Sequence, residues 1–123
     1  MKKSLLVAAV IGALWIGALA TAHAQGTVVR PTGGPVGPLW AWDPPDVSVA
    51  PGTVVTWKNE GAAPHTVTAY DGPWDDNLDL PAGASAKRKF KKPGVYSYYC
   101  TTTSHAVLVG TTCIGMCGSV TVE

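Results

Sequence analysis

Four residues with metal-binding side chains lie in the second half of this chain. They are His65 in P-H-T-V-T, Cys100 in Y-S-Y-Y-C, His105 five residues later, and Met116 in G-M-C-G. Two imidazoles and a thiolate in a trigonal plane, with a long, weak bond to an axial thioether, form a copper site that transfers single electrons. The residue types and their order therefore predict one copper ion held by these four side chains.

The composition leaves few other uses for these residues. The chain has three histidines and two methionines, of which His23 and Met1 lie in an N-terminal segment with the features of a secretory signal. The other two histidines and the other methionine all belong to the predicted ligand set.

A copper enzyme needs an open coordination position or a second metal, and two histidines do not supply them. We therefore expect a protein that is not an enzyme.

The N-terminal segment predicts export. Lys2 and Lys3 precede an apolar run over residues 5–20, and Ala22-His23-Ala24 has the small-x-small pattern that a signal peptidase cuts. We place the cut after Ala24, so that residues 1–24 form a signal peptide and the mature protein is periplasmic or otherwise extracytoplasmic, with no membrane span. The alternative is an uncleaved anchor, although the run is slightly shorter than the roughly 18 to 20 residues that span a bilayer.

The charge balance excludes one class of partner. Losing Lys2 and Lys3 takes the formal net charge from +1 to −1. Nucleic-acid binding depends on an excess of positive charge, so we expect no nucleic-acid partner.

Cysteine usage predicts a disulfide. Exported proteins favour paired cysteines, and if Cys100 binds copper, Cys113 and Cys117 remain as a pair. The spacing of these two would also suit a binuclear copper site. That site needs a histidine and a methionine after the second cysteine, and the six residues after Cys117 include neither. We therefore interpret Cys113 and Cys117 as a disulfide.

Short strands must position these side chains. No stretch shows a helical apolar period, and Pro/Gly turns recur at short intervals, which indicates an all-β sandwich or barrel. The predicted strands are Leu39–Trp42, Val47–Val49, Thr53–Lys58, Thr66–Tyr70, Ala84–Phe90, Gly94–Cys100 and Gly118–Val122. Residues 25–38 are rich in Gly, Pro and Thr and are expected to form a flexible arm before a domain at 39–123.

Strand alternation points two of the candidate ligands inward. Cys100 shares a face with Tyr96 and Tyr98, and His65 shares one with Val67 and Ala69, because successive side chains alternate across a strand. Both ligands should lie at strand ends above the core.

Four segments together resemble a known family. V-V-T-W-K-N-E-G-A-A-P-H-T-V-T-A, L-P-A-G-A-S, F-K-K-P-G-V-Y-S-Y-Y-C-T and G-M-C-G-S-V-T-V are similar to the cupredoxins, small blue copper proteins that include plastocyanin, halocyanin and amicyanin. The resemblance implies a Greek-key β-sandwich of about seven to eight strands with one type 1 copper. It also implies a monomeric one-electron carrier between larger redox proteins. The alternative is a periplasmic copper-binding protein for delivery or resistance, although such proteins tend to present several exposed Met or His ligands.

The resemblance also assigns roles to individual residues. His65 matches the first imidazole ligand, Cys100 the thiolate, Met116 the axial thioether, and His105 the second imidazole, whose exposed edge would pass the electron. Thr66 and Asn59 would support the first ligand.

The chain departs from the family in one loop. Ten residues, A-V-L-V-G-T-T-C-I-G, separate His105 from Met116, where the family has a much shorter segment. The alternative is therefore that Met116 packs in the core and that copper has a carbonyl or no axial ligand. The apolar residues 106–109 would either enlarge a docking patch beside His105 or fold inward as a lid.

Two further residue groups have alternative interpretations. Residues 87–92 hold five Lys or Arg residues, which would either protect a solvated edge strand from aggregation or contact an acidic redox partner. Trp40, Trp42, Trp57 and Trp74 are expected in core or rim positions.

Overall fold

The computed structural model describes residues 26–34 and 39–123. Over these ranges the chain forms eleven β-strands and no helix. The strands are β1 Thr27–Thr32, β2 Ala41–Asp43, β3 Asp46–Val49, β4 Thr53–Lys58, β5 His65–Asp71, β6 Asn77–Leu80, β7 Ser85–Phe90, β8 Gly94–Tyr99, β9 Ala106–Val109, β10 Thr112–Gly115 and β11 Cys117–Val122.

Two sheets form the sandwich. One has four strands in the order β2-β1-β4-β7, and the other has five in the order β3-β11-β8-β5-β6. Most neighbouring pairs are antiparallel, but β1 pairs with β4 and β3 with β11 in parallel. The strands β9 and β10 form a separate two-stranded hairpin. The predicted all-β sandwich is confirmed.

The core lies between the inner faces of the two sheets. Alternate residues of each strand point into it, as the burial pattern B-e-B-i-B of β4 from Thr53 to Trp57 shows. Its largest fully buried side chains are Trp57, Tyr98 and Phe90, together with Trp42 at 2% exposure. Trp57 meets Tyr98 edge to face at 5.3 Å between ring centroids, a preferred aromatic arrangement.

All seven predicted strands are present, with ends shifted by up to two residues, and four more were not predicted. Three of these, β6, β9 and β10, have only four residues each. The fourth, β1, overturns part of the expected flexible arm over residues 25–38. Thr27–Thr32 pairs with both β2 and β4 and buries Val29 completely. This segment is a strand because it pairs with β2 and β4, and the Pro/Gly-rich sequence around it does not indicate that pairing.

The N-terminal signal and its cleavage site, predicted over residues 1–24, lie outside the described residues. Among those that are described, no helix is long and apolar enough to cross a membrane.

The lysine-rich segment lies at a sheet edge. β7 is the last strand of the four-stranded sheet, so one side of its backbone has no strand partner among the residues that the structure describes. Lys87 and Lys89 are exposed, while Arg88 turns toward the core edge, pairs with Asp76 and lies 5.5 Å from the Phe90 ring centroid. This placement agrees with the edge-strand interpretation, because charged side chains on an edge oppose pairing with other chains.

Candidate metal centre

One end of the sandwich gathers the ends of several strands. The loop from Asn59 to Pro64 joins β4 to β5, β8 ends at Tyr99, and β11 begins at Cys117 opposite Tyr99. Here His65 opens β5 and Cys100 directly follows β8. The sheet register therefore brings together residues that are 35 positions apart in the chain.

His65, Cys100 and His105 form a buried cluster at this end. One ligand atom from each lies within 4.8 Å of the others. The Nδ1 atom of His65 is 3.7 Å from Cys100 Sγ, and that of His105 is 3.4 Å from it. Their exposed fractions are only 3% for His65, 0% for Cys100 and 8% for His105. Both imidazoles thus turn the same nitrogen toward one sulfur.

Burial changes the acid–base behaviour of both imidazoles. Loss of solvation, with a smaller effect of the nearby His105, lowers the pKa of His65 to about 4. Burial also lowers the pKa of His105. With a pKa of about 4 instead of the ordinary 6.5, His65 is neutral at pH 7 and has a nitrogen lone pair available to a metal.

The donor set fits copper. Two neutral imidazoles and one thiolate form the trigonal ligand plane of a single type 1 copper site. Cys100 is the only cysteine in the described part of the chain that is outside a disulfide. Its sulfur is therefore available to the metal.

Met116 lies beside the cluster through its backbone. Its N–H donates to the His105 carbonyl at 2.9 Å, and its own carbonyl accepts the Cys100 N–H at 3.1 Å. The Trp42 indole N–H also donates to that carbonyl, at 3.2 Å. Met116 is completely buried. The fold thus places all four predicted site residues at one end of the sandwich.

Hydrogen bonds connect the loop after Cys100 to the strand that carries His65. The Thr101 N–H donates to Thr66 Oγ1 at 2.9 Å, and Thr102 Oγ1 donates to the Pro64 carbonyl at 3.1 Å. The segments on either side of the cluster are therefore joined independently of any metal.

Asn59 stabilises the loop before His65. Its amide donates to the carbonyls of Ala63 and Leu80, and its Oδ1 accepts the Gly61 N–H. The side chain is 1% exposed. Thr66 and Asn59 thus occupy the supporting positions expected near the first ligand.

Two backbone positions with positive φ shape the segments beside His105. Ser104 has a left-handed φ of 69° directly before His105, a conformation that non-glycine residues seldom adopt. Gly115 has φ 106°, and a Cβ there would lie 2.6 Å from the His105 carbonyl oxygen. Only glycine allows the chain to pass so close to His105 immediately before Met116.

The long loop between His105 and Met116 is an outward-facing hairpin. Strands β9 and β10 pair from Ala106 opposite Gly115 to Val109 opposite Thr112. Val107, Val109 and Ile114 are 52%, 63% and 56% exposed. Of the two alternatives for residues 106–109, the structure shows the patch and not the inward lid.

Cys113 and Cys117 form a disulfide with a Cα–Cα distance of 6.1 Å. The predicted pairing is confirmed. It joins β10 to the first residue of β11 and encloses Met116.

The contact between Trp40 and the two imidazoles has no signal in the sequence. The Trp40 ring stacks on His105 at 4.6 Å between centroids and 27° between planes, and it meets His65 edge-on at 5.0 Å. His105 was expected to present an exposed edge, yet it is only 8% exposed because Trp40 covers its ring. A rim tryptophan was predicted, but no local signal indicates which ring it covers.

The sequence of this chain is similar to those of known copper-binding proteins. A family model for copper binding proteins of the plastocyanin/azurin family matches residues 32–123. Amicyanin-alpha from Methylorubrum extorquens is 38% identical over 61 residues, covering 46% of this chain and 51% of the relative. The chain therefore spans about half the length of that curated relative.

Solved structures share the fold. A purple cupredoxin from Nitrosopumilus maritimus superposes with a TM-score of 0.58 at 24% identity, over 79% of this chain and 99% of that one. An oxidised amicyanin variant gives 0.58 at 25% identity, over 80% and 82% of the two chains.

Proposed function

The chain belongs to the plastocyanin/azurin family of copper binding proteins, and from this premise we propose that it carries single electrons between larger redox proteins. His65, Cys100 and His105 would hold the copper, and Met116 would supply a thioether to it. Bound copper supplies the one-electron couple. The protein supplies fixed ligands and a surround from which water is excluded.

One observation carries this proposal: two imidazole nitrogens face one buried cysteine sulfur at 3.4 and 3.7 Å. Side chains and backbone hold the three residues from both sides, through Thr66, Asn59 and the Met116 backbone. Ligands held in this way move little when the charge at their centre changes by one. Small rearrangement favours rapid electron transfer.

The surface around the site supports contact with proteins. An apolar groove of about 290 Å³ beside His105 is lined by Leu39, Trp40, Val107 and Ile114 among others. The hairpin that forms one side has no charged residue from Ala106 to Gly115. An apolar patch next to a redox site suits brief docking of another protein, since such patches mark interaction surfaces.

Copper delivery is a weaker candidate for this site. A delivery protein must pass its metal to another ligand set, which requires accessible donors. Here Cys100 and Met116 are fully buried and His65 nearly so.

Catalysis at the metal is disfavoured as well, because it requires an open coordination position or a second metal. Within residues 26–34 and 39–123, the cluster of His65, Cys100 and His105 is the only group of three or more His, Cys, Asp or Glu side chains close enough to share a metal. We therefore propose a carrier and not an enzyme.

Export is part of the proposal. The predicted signal at residues 1–24 directs the chain out of the cytoplasm, and the Cys113–Cys117 disulfide suits an oxidising compartment such as the periplasm. The mature protein then acts there as a monomer that meets donor and acceptor proteins in turn.

The visible spectrum of the copper-loaded mature protein tests the proposal. We expect one copper per chain and, in the oxidised state, a strong band from thiolate-to-copper charge transfer that disappears reversibly on one-electron reduction. Cys100→Ser should abolish the band, whereas Thr103→Ser, a change at an exposed position of the same loop, should leave it intact. A colourless copper-loaded wild type would refute the assignment.

A further inference from the structure

Trp40 contacts both imidazoles of the metal centre. Its indole stacks on His105 with centroids 4.6 Å apart and planes 27° apart, and its edge meets His65 at 5.0 Å. Trp40 precedes β2, on the sheet opposite β5. The contact is therefore made across the sandwich and is not a consequence of chain proximity.

The indole covers one face of the His105 ring and reaches the surface. His105 is 8% exposed, whereas Trp40 is partly exposed and lines the apolar groove together with Leu39 and Ile114. A protein that docks in the groove therefore meets the indole as well as the small uncovered part of the imidazole.

We propose that Trp40 is the electron-transfer contact of this protein, so that the electron crosses between copper and partner through His105 and the stacked indole. This inference rests on the proposed function. Electronic coupling falls steeply with distance, and a stacked aromatic pair provides a short path of π-systems in contact. With copper bound, the electron given up by a reduced donor protein would reduce Cu(II) to Cu(I), and an oxidised acceptor protein would take up that electron in the reverse step. The indole is neither oxidised nor reduced overall.

The stack has a second consequence for the same path. Aromatic pairs in contact stabilise one another, so Trp40 also restricts rotation of the His105 ring. His105 comes from a turn rather than a strand, and its ring orientation would otherwise depend on that turn alone.

The metal-free protein gives the first test, by proton NMR. The indole ring current should move the His105 ring-proton resonances upfield in the wild type. They should return toward ordinary positions in Trp40→Leu and stay shifted in Trp40→Phe. Identical His105 resonances in wild type and Trp40→Leu would show that the stack does not form in solution, and this would overturn the inference.

The electron self-exchange rate between Cu(I) and Cu(II) copies gives the second test. Trp40→Leu should slow exchange by about tenfold, a loss of the size that a displaced reactive contact can cause. Trp40→Phe keeps a ring on His105 and should remain within about threefold of the wild type. Leu39→Ala is the comparison variant, because it removes apolar groove surface beside Trp40 without removing a ring, and its rate should fall less than that of Trp40→Leu. Trp40→Met, which fills more of the indole volume without a ring, gives the same comparison if Trp40→Leu loses copper.

The outcomes separate this inference from the proposed function. A Trp40→Leu protein that keeps the visible band and exchanges at the wild-type rate overturns the role of Trp40 alone. An equal loss in Leu39→Ala overturns it too, since the effect would then belong to the groove surface. A wild type that binds copper without the band overturns the proposed function and this inference with it.

Discussion

The backbone of Met116 is fixed by hydrogen bonds that do not involve its side chain. Its carbonyl accepts hydrogen bonds from the Cys100 N–H and the Trp42 indole, and its N–H donates to His105. None of these bonds depends on the thioether. The side chain can therefore be changed without moving the backbone that connects the two ligand segments.

Replacing Met116 by Leu should keep copper and colour and raise the reduction potential. The change removes a thioether donor that stabilises the oxidised metal and puts an apolar group of similar size in its place. Potentiometric titration of the visible band measures the effect. Met116→Gln is the matched variant, because an oxygen donor should lower the potential instead. Equal potentials in wild type and Met116→Leu would show that the thioether is not an axial ligand.

The order of residue types predicts the candidate ligands but not their surroundings. His65, Cys100, His105 and Met116 were identified because imidazole, thiolate and thioether groups have few common roles together. Trp40 was placed only in the core or rim. Which ring an indole covers depends on packing across the two sheets, and local sequence carries no record of it.

The β9–β10 hairpin forms the loop that connects two of the candidate ligands, His105 and Met116. The hairpin fills the ten-residue separation between His105 and Met116, and the Cys113–Cys117 disulfide fastens β10 to β11. The disulfide joins residues only four positions apart, so it restricts the backbone on both sides of Met116 more than it restricts the whole chain.

Replacing Cys113 and Cys117 together by Ser should change the copper spectrum more than the melting temperature. The closed ring is small, so the loss of global stability should be about 1 to 2 kcal/mol, while Met116 gains freedom beside the metal. Visible and EPR spectra, set against thermal unfolding, measure the two effects. Thiol titration of the denatured, copper-free wild type should find one free thiol. Three thiols, or an unchanged spectrum in the double variant, would contradict this account.

The strands that were missed share physical features. Each of β6, β9 and β10 has four residues, too short to show a period. β1 contains Pro31 and lies in a Gly- and Pro-rich stretch, so its composition resembles a linker. Its strand conformation depends on hydrogen bonds to β2 and β4, which are distant in sequence. By contrast, Thr53–Lys58 is rich in β-branched residues, directly follows the Pro51-Gly52 turn, and was predicted with the ends that the structure shows.

For the molecule as a whole, β1 belongs to the folded core and not to an appendage. It lies between β2 and β4 in the four-stranded sheet, and Val29 is completely buried while its neighbour Val28 is 40% exposed. A protein of this size usually unfolds in one cooperative transition, so a defect in β1 should lower the stability of the entire domain.

The Val29→Ala variant should lower the free energy of unfolding by about 2 kcal/mol, the cost of removing two buried methyl groups and leaving part of a cavity. Val28→Ala is the matched control and should cost less than about 0.5 kcal/mol, as partly exposed substitutions usually do. Chemical denaturation of the mature protein measures both. Equal, small losses of unfolding free energy in the two variants would show that residues 27–32 are only loosely attached to the domain.

Contacts between distant parts of the chain also determine when the metal can enter. Asp46 lies opposite Ser119, and the Trp42 indole reaches the Met116 carbonyl across 74 positions of chain. The four candidate ligands therefore meet only after distant parts of the chain have joined, whereas the ligands of a zinc finger are close in sequence and their metal drives folding. We expect the opposite order of assembly here, with copper arriving last at a finished site. In the proposed role, the supply of copper would then set how many molecules can carry electrons, but not how many of them fold.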